Sequence, residues 1–153
     1  MKIIDISAPL KNDIPSWPGS DGFSMFSQNL NKINQSSPLT IKMDVHSGTH
    51  IDAPSHFLDK GKSIDQIPLN KFCGEVFVAD ITGESIVSAK LLSSIKIPNK
   101  TKRILFKTDN GMWYKNKSFN KNYIGLDIYA DKWIVDNKVE LVGIDYLSIS
   151  TFN

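Results

Sequence analysis

"LTIKMDVHSGTHIDAPSHF", residues 39–57, decides how this chain is read. Its first half alternates. Leu39, Ile41, Met43 and Val45 point one way and Thr40, Lys42, Asp44 and His46 the other, the pattern of a half-buried β-strand. Its second half holds every histidine in the chain, His46, His50 and His56, with Asp52 among them. Histidine is the commonest metal ligand and the usual acid–base group near neutral pH. Ordinary surface or core histidines have no reason to crowd into one short run beside an acid, so the clustering favours a metal site.

The backbone has to bend for that site to form. On an undistorted strand His46, His50 and Asp52 share a face, but four strand steps span roughly 13 Å. Imidazoles that far apart cannot bind one ion at ~2.0–2.1 Å each. A helix is excluded by Gly48, the β-branched Thr49 and Ile51, and Pro54. A bend or bulge at Ser47-Gly48-Thr49 resolves the conflict, because Gly48 reaches dihedrals that other residues avoid. It folds His46 back toward His50 and keeps Asp52 on the same side. Three protein ligands with an open position is the arrangement of a catalytic ion, at which a bound water is a hydroxide near neutral pH. Pro54 stiffens the next turn and places His56 beside the metal as a proton carrier rather than a ligand.

Around this segment the chain reads as strands first, then strands alternating with helices, which is a mixed α/β domain. "KIIDI" (2–6), "FSMFSQ" (23–28) and "LTIKMDVH" (39–46) are expected strands, with "KNDIPSWPGSDG" (11–22) a loop rich in turn formers. Pro54 to Pro68 is loop-like. "GEVFVADI" (74–81) and "VELVGID" (139–145) have the apolar look of buried strands, and "RILFKT" (103–108) is another strand. "SAKLLSSIK" (88–96) is a short helix capped by Ser88 or Ser85. Asp127 caps a second helix whose Leu126, Ala130, Trp133 and Ile134 share a face.

With 153 residues, 41% apolar and 22% charged, the chain has the composition of one soluble domain. A net charge of +2 with scattered lysines argues against nucleic-acid binding. The one cysteine, Cys73, excludes an internal disulfide and is expected to be a buried small hydrophobe. The N-terminus meets Asp5 too early for a signal h-region, and no apolar run approaches the ~20 residues that span a bilayer. A cytoplasmic protein without membrane partners is expected.

"HSGTHIDAPSH" resembles the H-x-G-T-H-x-D-x-P-x-H signature of the cyclase-family metal-dependent hydrolases, which include bacterial kynurenine formamidase and isatin hydrolase. "DISAPLKNDIPSWPG", "SIDQIPLNKFCGEV", "RILFKT" and "VGIDYLSIS" agree with it, so the resemblance covers nearly the whole chain. It implies a swivelling β/β/α-type single domain, 1–153, with a mixed sheet and few helices. It implies hydrolysis of an amide, such as an aryl formamide like N-formylkynurenine, with Zn²⁺ or Mn²⁺, in homo-oligomers. His46, His50 and Asp52 would be the metal ligands and His56 the proton donor and acceptor. Trp17 would line the substrate pocket, or else pack over the Pro15–Pro18 turn.

One departure stands out. Family members continue well past the "GID" strand, and the extension carries a histidine and a glutamate that complete a two-ion site. Here no histidine follows His56, and Glu75, Glu84 and Glu140 do not match the missing position. The sequence is therefore expected to be incomplete at its C-terminus relative to the family, to bind one ion, and to self-associate. The alternatives left open are a non-catalytic metal-binding remnant and a hydrolase of a small lactone or cyclic imide.

Overall fold

The computed structural model describes residues 5–27, 38–116 and 118–152. It is a mixed α/β fold with two sheets and few helices, and it divides into two compact units, Met1–Ile51 with Met112–Phe119 and Asp52–Gly111 with Asn120–Asn153.

The first unit is built on an antiparallel ribbon, β1 (Phe23–Ser27) and β2 (Leu39–Met43), in the register Phe23↔Met43, Met25↔Ile41 and Ser27↔Leu39. Alternation puts Phe23, Met25, Leu39, Ile41 and Met43 on one face. The outer edge of β1 is not left bare. The Asn12 side-chain amide donates to the Met25 carbonyl at 3.0 Å, and its carbonyl accepts from the Met25 N–H at 2.7 Å, as a neighbouring strand would. Of the expected strand at 2–6, residues 2–4 lie outside the described residues, and Asp5 and Ile6 are not in a strand. β2 stops at Met43, short of the His46 expected from alternation.

The second unit holds a parallel sheet in the order β3 (Phe77–Asp80), β4 (Arg103–Lys107), β5 (Leu141–Ile144). The crossovers are α1 (Ala89–Ser94) and α2 (Ile128–Asp136), which pack against each other. Both helices begin where the sequence says. Ser88 Oγ accepts from the Leu91 N–H at 3.2 Å, and Asp127 Oδ1 from the Tyr129 and Ala130 N–H groups at 2.9 and 2.7 Å. In register, Ala79 lies beside Phe106, and Ile104 beside Val142. These side chains join Leu92, Val87, Leu126 and Ala130 in the core, with Trp133 and Ile134 packed on it.

Val78, on the face of β3 opposite the buried Ala79, is 53% exposed, and Val76, just before the strand, is 45% exposed, where the sequence suggested a mostly buried strand. β5 is likewise half-buried. Cys73 is exposed rather than buried. β3 does not begin until Phe77, and at Gly74 (φ +136) the chain turns against the Arg103 guanidinium, so Cys73 belongs to a surface turn. The Arg103 side chain holds that turn by donating to the main-chain carbonyls of Lys71, at 2.9 Å, and of Asn70. Among the described residues no helix is long and apolar enough to cross a membrane.

Candidate metal centre

The histidine segment leaves β2 through a turn made by Asp44. Asp44 Oδ1 accepts from the main-chain N–H of His46 at 2.9 Å, and the Asp44 carbonyl accepts from Ser47 N–H at 3.0 Å. An Asp side chain bonding two residues ahead is an Asx turn. The bend thus starts at Asp44, four residues before Gly48. Gly48 continues it at φ +67, where a Cβ would also meet Leu10 Cδ2 at 2.6 Å. Thr49 is fixed by the Ala8 N–H, which donates to its hydroxyl at 2.9 Å.

The outcome is the fold-back that metal binding needs. The His46 and His50 rings stand edge to face, with centroids 5.2 Å apart. Each has its Nδ1 against an oxygen that can only accept. His46 Nδ1 is 3.2 Å from Asp44 Oδ1, and His50 Nδ1 is 3.0 Å from the Gly48 carbonyl. In a neutral imidazole the proton then sits on Nδ1 and the lone pair on Nε2. The His46 amide, and after it the Ser20 hydroxyl, hold the Asp44 carboxyl below the usual carboxylate range.

His56 ends a single 3₁₀ turn, Pro54–His56, in which proline takes the first position. The His56 N–H donates to the Ala53 carbonyl at 2.9 Å, and the Leu58 N–H to the Pro54 carbonyl at 2.9 Å. The signature joins the two units, with His46 and His50 in the first and Asp52 and His56 in the second. Imidazole nitrogens and one carboxylate suit a borderline divalent ion such as Zn²⁺ or Mn²⁺. The donor set therefore fits the metal that the resemblance implies.

Trp17 stands in the turn between Pro15 and Pro18, 38% exposed, with its ring edge-on to Phe119 at 5.1 Å. Two residues that the sequence reading left out now belong to the description: Asp44, whose signal was its spacing two before His46, and Ser20, which carried none.

Residues 4–151 match the sequence model of the cyclase family, and the chain belongs to that family. It is 33% identical to cyclase-like protein 3 of rice (Oryza sativa subsp. japonica), over 99% of this chain and 60% of that protein. It is 31% identical to the kynurenine formamidase of Geobacillus thermodenitrificans, over 95% of this chain and 69% of that protein. Among solved structures it is similar to one described as a "potential metal-dependent hydrolase with cyclase activity". The TM-score is 0.80 at 28% identity, over 99% of this chain and 71% of the other. Isatin hydrolase A from Labrenzia aggregata shares the fold, with a TM-score of 0.72 at 20% identity over 98% and 70% of the two chains. The chain spans 60% of the length of its rice and Arabidopsis relatives.

Proposed function

We propose that this chain is a metal-dependent hydrolase that cleaves the amide bond of an aryl formamide such as N-formylkynurenine, in the cytoplasm and as a homo-oligomer. The reading rests on one observation above all: inside the family signature the chain folds back until the His46 and His50 rings stand 5.2 Å apart, each with its Nδ1 on an acceptor. His46, His50 and Asp52 would hold one Zn²⁺ or Mn²⁺. The ion supplies Lewis acidity toward the carbonyl oxygen and acidifies water. His56, on its proline-started turn four residues past Asp52, would give a proton to the leaving nitrogen. Trp17 offers an aromatic face to the aryl ring. Exposed Leu39, Ile41 and Met43 on the β1–β2 ribbon support self-association.

The test is formate release from N-formylkynurenine by protein loaded with zinc or with manganese. Metal-dependent release, stopped by a chelator, is expected. A protein that holds the ion yet cleaves no aryl formamide would remove the substrate assignment.

A further inference from the structure

The sequence "WPGSDG" (17–22) and the metal-binding segment are joined through two side chains that the proposed chemistry does not use. Trp17-Pro18-Gly19-Ser20 closes a turn, with the Ser20 N–H donating to the Trp17 carbonyl at 3.0 Å. Pro and Gly fall at the two central positions, and Gly19 has φ +87, as a type II turn requires. The turn presents the Ser20 hydroxyl, which accepts from the Gly22 N–H at 3.0 Å and donates to Asp44 Oδ2 at 3.0 Å. The Asp44 main chain is anchored in the same place, its N–H donating to the Gly22 carbonyl at 2.9 Å. One carboxylate oxygen is thus taken by Ser20. The other faces both the amide and the Nδ1 of His46, at 2.9 and 3.2 Å.

A carboxylate pinned at one oxygen has little freedom to turn the other away. Asp44 offers no proton, so His46 Nδ1 must be the donor, and its lone pair falls on Nε2. An imidazole whose Nδ1–H is held by a carboxylate has its ring plane and tautomer fixed, and its remaining nitrogen is a better metal donor. His50 is held differently, by the Gly48 carbonyl, which is neutral and belongs to its own loop. The two imidazoles therefore respond to different residues.

We propose that Asp44, held by Ser20, is a positioning residue that fixes His46 as the Nδ1–H tautomer and aims Nε2 at the metal. The assignment deepens the metal-centre reading and rests on it for the ion, but the tautomer belongs to the metal-free chain. The hydroxyl of Ser20 makes the Trp17 turn part of the same frame, so the expected substrate-facing loop and a metal ligand are set by one network.

Two measurements test it, on the wild type, Asp44→Asn and Ser20→Ala. Asp44→Asn keeps an oxygen for the His46 amide, so the turn should survive while the carboxylate is lost. In the metal-free proteins, at a pH where the imidazoles are neutral, long-range ¹H–¹⁵N spectra report each tautomer. The wild type should show His46 protonated at Nδ1. Asp44→Asn, whose neutral amide oxygen is a weaker acceptor for Nδ1–H than the carboxylate, should shift it part of the way toward the Nε2–H form, Ser20→Ala should shift it less, and His50 should stay unchanged in both. Competition with a chelator for Zn²⁺ should show about a tenfold loss of affinity in Asp44→Asn. That is the low end of the ~10–100-fold range for such partners, because both side chains of the pair are about a third exposed, at 33% and 32%. A His46 tautomer that is the same in all three proteins overturns the proposal, whatever zinc does. Failure of the wild type to bind zinc, with the tautomer shift intact, would instead sink the metal-centre reading and leave the positioning role standing.

Discussion

Gly61→Ala is the substitution that most sharply tests how His56 is placed. Gly61 crosses the start of the turn that carries His56. A Cβ built there would lie 2.4 Å from Pro54 C, 2.5 Å from Pro54 O and 2.6 Å from Ser55 N. All three are backbone atoms, and ordinary contact begins at 3.4 Å, so one strand of chain must move by about 1 Å. Neither side yields easily. The Pro54 carbonyl accepts from Leu58 N–H at 2.9 Å, and the Ser55 N–H donates to the Lys62 carbonyl at 3.1 Å. Overpacking of this kind costs about 1–3 kcal/mol, which for a chain of this size lowers Tm by roughly 2–12 °C. A 1 Å displacement of a catalytic group costs on the order of 10²-fold in rate. Thermal unfolding gives the first quantity and formamide turnover the second. Gly111→Ala is the control, since its Cβ would meet Asp145 Oδ2 at an acceptable 3.4 Å. If Gly61→Ala were as stable and as active as Gly111→Ala, the steric account of His56 would be refuted.

Three further predictions use other parts of the molecule. His56→Ala should keep its metal and lose roughly 10²–10⁴-fold in rate, the usual worth of a proton carrier. Should it instead lose metal while His50→Ala retains it, the two histidines exchange roles. Asp80, paired with Lys107 at 2.6 Å, has its carboxyl lowered to about 2 by the Lys107 hydrogen bond and then by Thr82. Its pKa in the folded chain is depressed, so its stabilisation is complete above the ordinary value near 3.8 and disappears as pH falls toward 2. The gap in urea midpoint between wild type and Asp80→Asn should thus be present at pH 6, absent near pH 2 and small at high salt; a gap that persists in acid would contradict it. Light scattering should give a mass above the 17.1 kDa of one chain, and Ile41→Lys on the exposed ribbon should lower it; a wild-type monomer would contradict self-association.

What could be read from the sequence was what depends on near neighbours. Ser88 and Asp127 cap their helices because the cap is made within three residues. The fold-back of His46 toward His50 follows from Gly48 and the spacing of the signature, all within one short run. What failed to show depends on partners distant in sequence. β2 ends at Met43 because Asp44, tied to Ser20 and Gly22 far back in the chain, turns its side chain onto His46, while alternation alone continues the strand. Val76 and Val78 look like core, but which face of a parallel sheet the helices cover is a matter of topology. Cys73 looks apolar by its neighbours and is exposed because Arg103, from another strand, fixes the turn beside it. The Ser20–Asp44 contact joins residues 24 apart and leaves no local mark.

The most direct test of the account is the metal content of the purified protein by elemental analysis, after exposure to excess zinc and removal of the unbound ion. About one equivalent per chain is expected, as three protein donors would hold, and none in His46→Ala, which removes one of the three. Wild-type protein that retains no zinc, or His46→Ala that retains as much as the wild type, would contradict the claim that this segment is a metal centre.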